Sequence, residues 1–272
     1  MTTDFYADPL VYDVLHAPGT AGEVAVLRRV ARRFTAGRVS PLWLEPACGT
    51  GRYLIRGAKF GVRGVGFDLS EAMVEYARSR AREAGVGRRV RLRVASMESF
   101  VKACGLREGS VDFAFNLINT IRHLSSDAAM LAHFGEVARV LRRDGVYAVG
   151  LSLAAYGLES VTEDTWSGRA KGLSVTQVVQ YLPPGSGGGD ARRGEGQRQE
   201  RVVSHVTVRR RRRGGDEETH FDSTYALRSY NLRQWLTLIE RSPLEIAGVV
   251  DSSGADAAAR EPGYFVFVLR RR

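Results

Sequence analysis

Residues 44–51 read Leu44-Glu45-Pro46-Ala47-Cys48-Gly49-Thr50-Gly51, and a second carboxylate, Asp68, closes the segment Gly64-Val65-Gly66-Phe67-Asp68. Gly49 and Gly51 remove side chains where a backbone bends tightly and approaches a ligand, and a helix opening there offers its free N–H groups. Two glycines alone fit any nucleotide loop, and three features narrow the choice. Position 54, where a dinucleotide fingerprint places its third glycine, is Leu54. No GxxxxGK[ST] phosphate loop occurs anywhere in the chain. Glu45 precedes the glycines, where it would repel a phosphate and attract a sulfonium or an ammonium. Asp68 is placed to accept the two hydroxyls of an adenosine ribose. Its competing role, capping the next helix, is already offered by Ser70. The pattern describes a site for an adenosine ligand that is cationic near Glu45.

These groups need a scaffold, and residues 24–151 alternate helix and strand periodicity as a parallel α/β sheet does. An amphipathic helix over 24–34 aligns Val26, Leu27, Val30 and Phe34. Strands are expected over 42–44, 62–68, 90–95, 111–117 and 146–151. Between them lie a helix over 51–59, one over 70–84 with Met73, Ala77 and Ala81 in line, and one capped by Ser126 or Asp127 with Met130, Phe134, Val137 and Leu141. Asp144-Gly145 reads as the turn into the fifth strand. Residues 173–182, 201–209 and 219–229 then alternate as consecutive antiparallel strands, and the Gly- and Pro-rich stretch 183–197 reads as a mobile loop. Asn231 caps a last helix carrying Leu232, Leu236 and Ile239, followed by strands over 244–250 and 264–269.

Glu45-Pro46-Ala47-Cys48-Gly49-Thr50-Gly51 together with Asp68-Leu69-Ser70-Glu71-Ala72-Met73 resembles motifs I and II of the class I methyltransferases that use S-adenosylmethionine (SAM). The resemblance implies an α/β, Rossmann-like sheet of seven strands with the last antiparallel, here carrying an antiparallel β insertion after strand five. It also implies SAM across the strand ends, held by Glu45, Ala47, Cys48, Gly49, Thr50, Gly51, Asp68, Leu69, Met73, Ser96, Met97 and Asn116. Two departures stand out. Ala47 replaces the usual first glycine, and Ser96-Met97 occurs where many members carry an acid near the adenine amine, which leaves Ser96 or the Met97 amide for that contact.

Methyl transfer is a displacement at carbon that needs a lone pair held in line about 3 Å away with water excluded. An amine acceptor needs only to be deprotonated, whereas a hydroxyl usually wants a base. The acceptor would approach beyond the fourth strand, where Asn116, Asn119 and His123 are the polar groups. Tyr6, the run Tyr12-Asp13-Val14-Leu15-His16, the His123-Leu124 pair and the insertion resemble small-molecule enzymes of the amino-sugar N,N-dimethyltransferase and glycine N-methyltransferase type. That narrower resemblance implies an N-terminal active-site segment over 1–23, a SAM-binding domain over 24–156 and 231–272, and a substrate lid over 157–230. His123, Tyr12 and Asn119 become the catalytic candidates for transfer to nitrogen or oxygen. The competing roles are a packing aromatic for Tyr12 and a solvent-facing helix-start residue for His123. His16, His133, His205 and His220 lack metal-ligand spacing and read as structural or exposed, so no metal is expected. Trp166 and Trp235 read as core, with a place under the substrate as the alternative for Trp166.

The formal charge of +10 raises nucleic acid as a partner. Nearly all of the positive charge is arginine, with only Lys59, Lys102 and Lys171 as lysines, and the runs 209–213 and 270–272 fall at a strand end and at the C-terminus. This favours a solvated surface over a polyanion site. An RNA methyltransferase remains the first rival, although Asn116-Leu117-Ile118-Asn119 lacks the prolines of a [DN]-P-P-[YF] motif, and a non-catalytic SAM-binding protein is the second. No apolar run is long enough for a membrane span, and the start of the chain lacks a signal-peptide pattern. Cys48 and Cys104 have neither metal spacing nor disulfide density. The expectation is a cytoplasmic monomer or homodimer acting on a small-molecule acceptor.

Overall fold

A computed structural model describes residues 5–170, 172–184, 198–212 and 215–272. In chain order the elements are α1 (Pro9–His16), α2 (Thr20–Phe34), β1 (Leu42–Pro46), α3 (Arg52–Ala58), β2 (Arg63–Asp68), α4 (Glu71–Glu83), β3 (Val90–Val94), β4 (Val111–Asn116), α5 (Asp127–Val140) and β5 (Leu141–Leu153). They continue with β6 (Thr162–Ala170), β7 (Leu173–Leu182), β8 (Gln199–Arg212), β9 (Gly215–Arg228), α6 (Leu232–Glu240), β10 (Leu244–Val250) and β11 (Gly263–Arg271). Short 3-10 turns cover Phe5–Ala7 and Thr120–His123.

Seven strands form one sheet in the order β10-β11-β5-β4-β1-β2-β3. β1 to β5 run parallel, and β11 lies antiparallel to both of its neighbours, β5 and β10. The order reverses between β1 and β4, so the crevice at their carboxyl ends is where such a sheet binds ligands. β1 and β4 are buried along their whole length, as central strands covered on both faces must be.

Local chemistry sets the helix phases. Ser70 accepts the Met73 N–H at 3.3 Å and opens α4, while Asn231 and Gln234 form a reciprocal capping box at α6. That cap turns Trp235, Leu238 and Ile239 inward and leaves Leu236 41% exposed, which corrects the expected stripe of Leu232, Leu236 and Ile239. In α2 the buried stripe is Val24, Leu27, Val30 and Ala31, with Val26 and Phe34 at its margin. β5 starts five residues before the expected 146, because Leu141 already pairs with Val111 across an irregular register that Asp144-Gly145 sits inside.

Leu54, which replaced a third glycine, does not loosen the contact between α3 and the sheet. The glycines stand on the strand instead. A Cβ on Gly64 would lie 3.2 Å from Leu54 Cδ2, and one on Gly66 would lie 2.7 Å from Leu54 Cδ1. The leucine fills the space that the two strand glycines leave.

The chain leaves this sheet at Ala154 and returns at Tyr230, where the Ala154 N–H donates to the Tyr230 carbonyl at 2.9 Å. Between them β6 to β9 form a second, antiparallel sheet in sequence order. It has four strands where the sequence suggested three. β6 has no strand signature in the sequence, because Thr-Glu-Asp-Thr-Trp-Ser-Gly-Arg-Ala carries a single large apolar residue and stays mostly exposed on both faces. The small sheet is rooted in the larger one by Arg228 to Asp127 at 2.9 Å and by Arg122 to Glu200 at 2.6 Å. The loop expected over 183–197 lies outside the described residues from position 185 onward.

The arginine runs are largely matched. Arg209 pairs with Glu218 across the β8–β9 ladder, which also sets Arg210 opposite Glu217 and Arg211 opposite Asp216. Arg270 reaches Glu245 at 2.7 Å, and Arg272 donates to the Leu244 carbonyl at 3.0 Å. Among the described residues no helix is long and apolar enough to cross a membrane.

Candidate active site

The turn after β1 places Ala47, Gly49 and Gly51 at φ values of 49°, 50° and 68°. Alanine in this left-handed region costs on the order of 1–2 kcal/mol, which explains why a glycine is usual there. Asp68 holds the turn shut. Its Oδ2 accepts the Gly49 N–H at 2.8 Å and its Oδ1 accepts the Ser70 N–H at 2.9 Å, and each oxygen retains lone-pair capacity toward the cavity. Burial raises the Asp68 pKa, and the two N–H groups oppose the rise. Asp68 and Gly49 line a cavity of about 360 Å³ together with Ala47, Leu69, Met73 and Met97.

Two expected donor-site residues, Gly51 and Ser96, line no cavity at the strand ends. Gly51 packs on α4, where a Cβ would meet Ala77 at 3.2 Å. Ser96 points away and pairs with Ser99 at 3.2 Å, so that Ala95, Met97 and Glu98 line the cavity on either side of it. Glu98 thus places an acid on the cavity wall two positions beyond Ser96. Cys48 is buried beneath the turn, 2.9 Å from where a Gly66 Cβ would stand, and burial pushes its thiol well above the usual pKa.

Glu45 and Asn116 end the neighbouring strands β1 and β4. Asn116 Nδ2 donates to the Pro46 carbonyl at 2.9 Å, while Asn116 Oδ1 and Glu45 Oε2 are buried with no hydrogen-bond partner among the described residues. Burial, opposed by Arg52 and reinforced by Asp68, raises the Glu45 pKa well above the carboxylate range. Two unpartnered acceptors at the switch point, one of them a carboxyl, call for a cationic donor. With the ribose-ready Asp68 on the adjoining cavity, the residues fit SAM.

A second cavity of about 400 Å³ lies between the strand ends and the inner face of the small sheet. Tyr6, Tyr12, Ala47, Thr120 and His123 line both cavities, so the two meet there. The junction is aromatic. Tyr6 lies 5.9 Å from Tyr12 and from Tyr225, His123 stacks on Tyr225 at 5.5 Å, and the Tyr6 hydroxyl stands 3.4 Å from His123 Nε2. Burial pushes Tyr12 up to about 12, so its phenol stays protonated and acts as a hydrogen-bonding group rather than a base. Asn119, the third catalytic candidate, spends both ends of its amide on Ser152: Nδ2 donates to Oγ at 2.9 Å and Oδ1 accepts the N–H at 2.6 Å. It holds the left-handed turn of Ile118 and Asn119 against β5.

Several wall residues were not legible in advance. His16, expected to be structural or exposed, lines the second cavity, and so does Trp166, in keeping with its alternative place under the substrate rather than in the core; the two rings lie 5.6 Å apart edge to face. Burial and the nearby Arg52 lower His16 to about 4, which leaves it neutral at pH 7. Arg122, Gln177, Glu200 and Tyr225 join them from the 3-10 turn and the small sheet. Nothing in the sequence fixed which face of those strands turns inward. Thr50 lies under α1, donating to Asp13 Oδ1 at 3.1 Å.

Residues 44–145 match the sequence family described as Methyltransferase domain. No curated protein sequence matches the chain. Solved structures do. DesVI of Streptomyces venezuelae superposes with a TM-score of 0.69 at 20% identity, covering 93% of this chain and 92% of its own. The sugar N-methyltransferase KedS8 of a Streptoalloteichus species gives 0.68 at 20% identity over 100% and 98%. SAM-bound CalS10, an amino pentose methyltransferase of Micromonospora echinaspora, gives 0.62 at 22% identity over 92% and 90%. The chain therefore carries a match to a methyltransferase domain over residues 44–145 and shares the fold of these methyltransferases.

Proposed function

We propose that the chain transfers a methyl group from SAM to an amine nitrogen of a small-molecule acceptor. The observation that carries this is the shared wall of Tyr6, Tyr12, Ala47, Thr120 and His123, through which the cavity bearing Asp68 opens onto the one beneath the small sheet. KedS8 and CalS10 are described as sugar N- and amino pentose methyltransferases, which supports an amine acceptor. In this reading, residues 157–230 are the acceptor lid, 1–23 the active-site segment, and 24–156 with 231–272 the donor domain.

Bound SAM supplies an electrophilic methyl group. Glu45 and Asn116 Oδ1 would hold its cationic methionyl end, and Asp68 would accept the ribose hydroxyls. Leu69, Met73 and Met97 form the apolar wall of the same cavity, with Glu98 beside them. Tyr6, Tyr12 and Tyr225 exclude water and present electron-rich faces to the charge that moves from sulfonium to nitrogen. His123 takes the proton of the acceptor's ammonium, exposing the lone pair that displaces the sulfide. Asn119 keeps the turn that presents His123 rather than touching the reacting atoms. Arg209, Arg210 and Arg211 stand opposite acids across the β8–β9 ladder and Arg270 pairs with Glu245, so a cytoplasmic small molecule fits better than a polyanion.

The test is His123→Ala. SAM affinity should stay within about twofold, while turnover with an amine acceptor falls by on the order of 10²-fold, the low end of general-base effects. The loss should shrink at high pH, where the amine deprotonates without help. An unchanged rate at neutral pH removes His123 from the mechanism.

A further inference from the structure

The inward face of the small sheet is apolar at both ends and polar in the middle. Leu173, Val175, Val206 and Val208 pack on α1 at one end, and Val179, Val202 and Leu227 cluster at the other. Between them stand Gln177, Ser204 and Ser223, all buried, with Gln177 only 1% exposed. Gln177 Nε2 donates to Ser204 Oγ at 2.7 Å, and Gln177 Oε1 is buried without a hydrogen-bond partner among the described residues. A buried carbonyl left unpaired costs about 1–3 kcal/mol, and an apolar side chain here would continue the flanking clusters without that cost. Gln177 lines the second cavity, and its cross-strand neighbour Trp166, 38% exposed, lines it too.

We infer that Gln177 is the specificity-determining residue of the acceptor site: its Oε1 accepts a hydrogen bond from a hydroxyl on a saturated ring that lies against Trp166. The inference rests on the reading that this cavity holds the methyl acceptor. An indole beside a fixed carbonyl oxygen suits a ring with an apolar C–H surface and a polar edge. Ser204 fixes the amide, so Oε1 stays aimed while its other end is occupied. Two carboxylates of the small sheet line the same cavity: Glu200 is paired with Arg122 at 2.6 Å, and Asp164 stands on β6 two residues before Trp166. Gln177 is uncharged, so it reads a hydroxyl of the acceptor and gives its ammonium no ionic partner of its own.

The experiment compares wild type with Gln177→Met, close in volume and without the oxygen, and with Gln177→Asn, which retracts it. The probes are glucosamine and its 3-amino and 4-amino regioisomers against cyclohexylamine, all primary amines on six-membered rings. Two readouts are taken: methylation with SAM as kcat/KM, and binding in the presence of S-adenosylhomocysteine by calorimetry. Wild type should prefer at least one hydroxylated ring over cyclohexylamine by about 10-fold or more, one hydrogen bond's worth. Both variants should lose that preference by weakening the hydroxylated probe alone, with SAM affinity unchanged. Equal losses for all probes, a preference that survives in both variants, or no preference in wild type overturns the inference. Methylation with an unchanged preference in the variants sinks the Gln177 assignment and leaves methyl transfer to amines standing. Gln177-dependent ring binding without methylation of any amine does the reverse.

Discussion

Asp13 Oδ1 accepts a hydrogen bond of 3.1 Å from Thr50 Oγ1, across the seam between α1 and the glycine turn. The same oxygen accepts from Arg80 of α4 at 2.7 Å, and Oδ2 accepts the Tyr76 hydroxyl at 3.2 Å. One buried carboxylate therefore ties the N-terminal helix to the donor turn and to the helix behind it. Because α1 carries Tyr12 and His16 into the second cavity, the tie couples the two halves of the site.

Removing that carboxylate should be costly. Asp13→Ala leaves Arg80 and the Thr50 and Tyr76 hydroxyls without their acceptor, and breaking a buried pair from one side costs roughly 3 kcal/mol. Arg80 keeps some contact with water, so the low end of that range is expected. Denaturant unfolding reads the loss directly. Acceptor KM should rise more than kcat falls, since α1 is loosened while the donor residues stay. A variant as stable as wild type would show that α1 docks without this anchor.

Asp68 performs two tasks that substitution can separate. Asp68→Asn keeps one acceptor oxygen for a backbone N–H but turns the other end into a donor facing the Gly49 or Ser70 amide. Asp68→Ala removes both. SAM affinity measured by calorimetry should fall by about 10-fold or more in Asp68→Asn and by on the order of 10²-fold in Asp68→Ala, while the melting transition remains cooperative. Affinity within twofold of wild type in both variants would remove Asp68 from the donor site.

How far the sequence foretold this site depends on whether a residue's neighbours are local. Glu45, Gly49 and Asp68 lie at the ends of adjacent parallel strands, and short apolar runs ending in glycine or acid are readable one strand at a time. Ser96 failed because alternation beyond the end of β3 decides which of Ser96 and its neighbours faces the cavity, and one residue of phase reverses the answer. Gln177 was hidden, and Trp166 left between core and substrate pocket, for a related reason. β6 lacks apolar periodicity, and the inward face of β7 is identified only by packing against α1. Asn119 has the right chemistry in the right place, but Ser152, more than thirty residues away in sequence, claims its amide.

His133 makes stability depend on pH. It is fully buried on α5, with Nδ1 2.9 Å from the Met97 carbonyl and Nε2 2.8 Å from the Tyr147 hydroxyl. A carbonyl only accepts, so Nδ1 carries the proton and Nε2 accepts from Tyr147, which fixes the neutral ring. Burial lowers its pKa to about 4. The unfolded ring, at about 6.5, binds a proton first, so its contribution is fully present above that pH. It is lost as pH falls toward 4, by up to roughly 1.4 kcal/mol per unit. His16, also lowered to about 4, acts with the same sign. Unfolding midpoints measured from pH 7 to pH 4 should decline, and His133→Gln should flatten part of the slope. An equally steep decline in the variant would assign the acid sensitivity elsewhere.

The strand glycines offer the most direct test of how the donor turn is supported. A Cβ on Gly66 would fall 2.7 Å from Leu54 Cδ1 and 2.9 Å from Cys48 Sγ, so alanine there must push either α3 or the turn itself. Overpacking of this kind costs about 1–3 kcal/mol. Cys48 belongs to the turn whose next residue bonds Asp68, so Gly66→Ala should weaken SAM binding as well as stability. Leu54→Val withdraws the obstructing methyl, and the double variant Gly66→Ala with Leu54→Val should regain part of both losses, a coupling that a double-mutant cycle measures. Gly22 is the control, since a Cβ within α2 meets nothing inside 4 Å, and Gly22→Ala should be neutral or slightly stabilising. If Gly66→Ala folds and binds SAM as wild type does, the close fit of Leu54 between Gly64 and Gly66 does not support the turn. If the double variant shows no recovery, the cost arises from Cys48 alone, and the contact of α3 with β2 is incidental to the donor site.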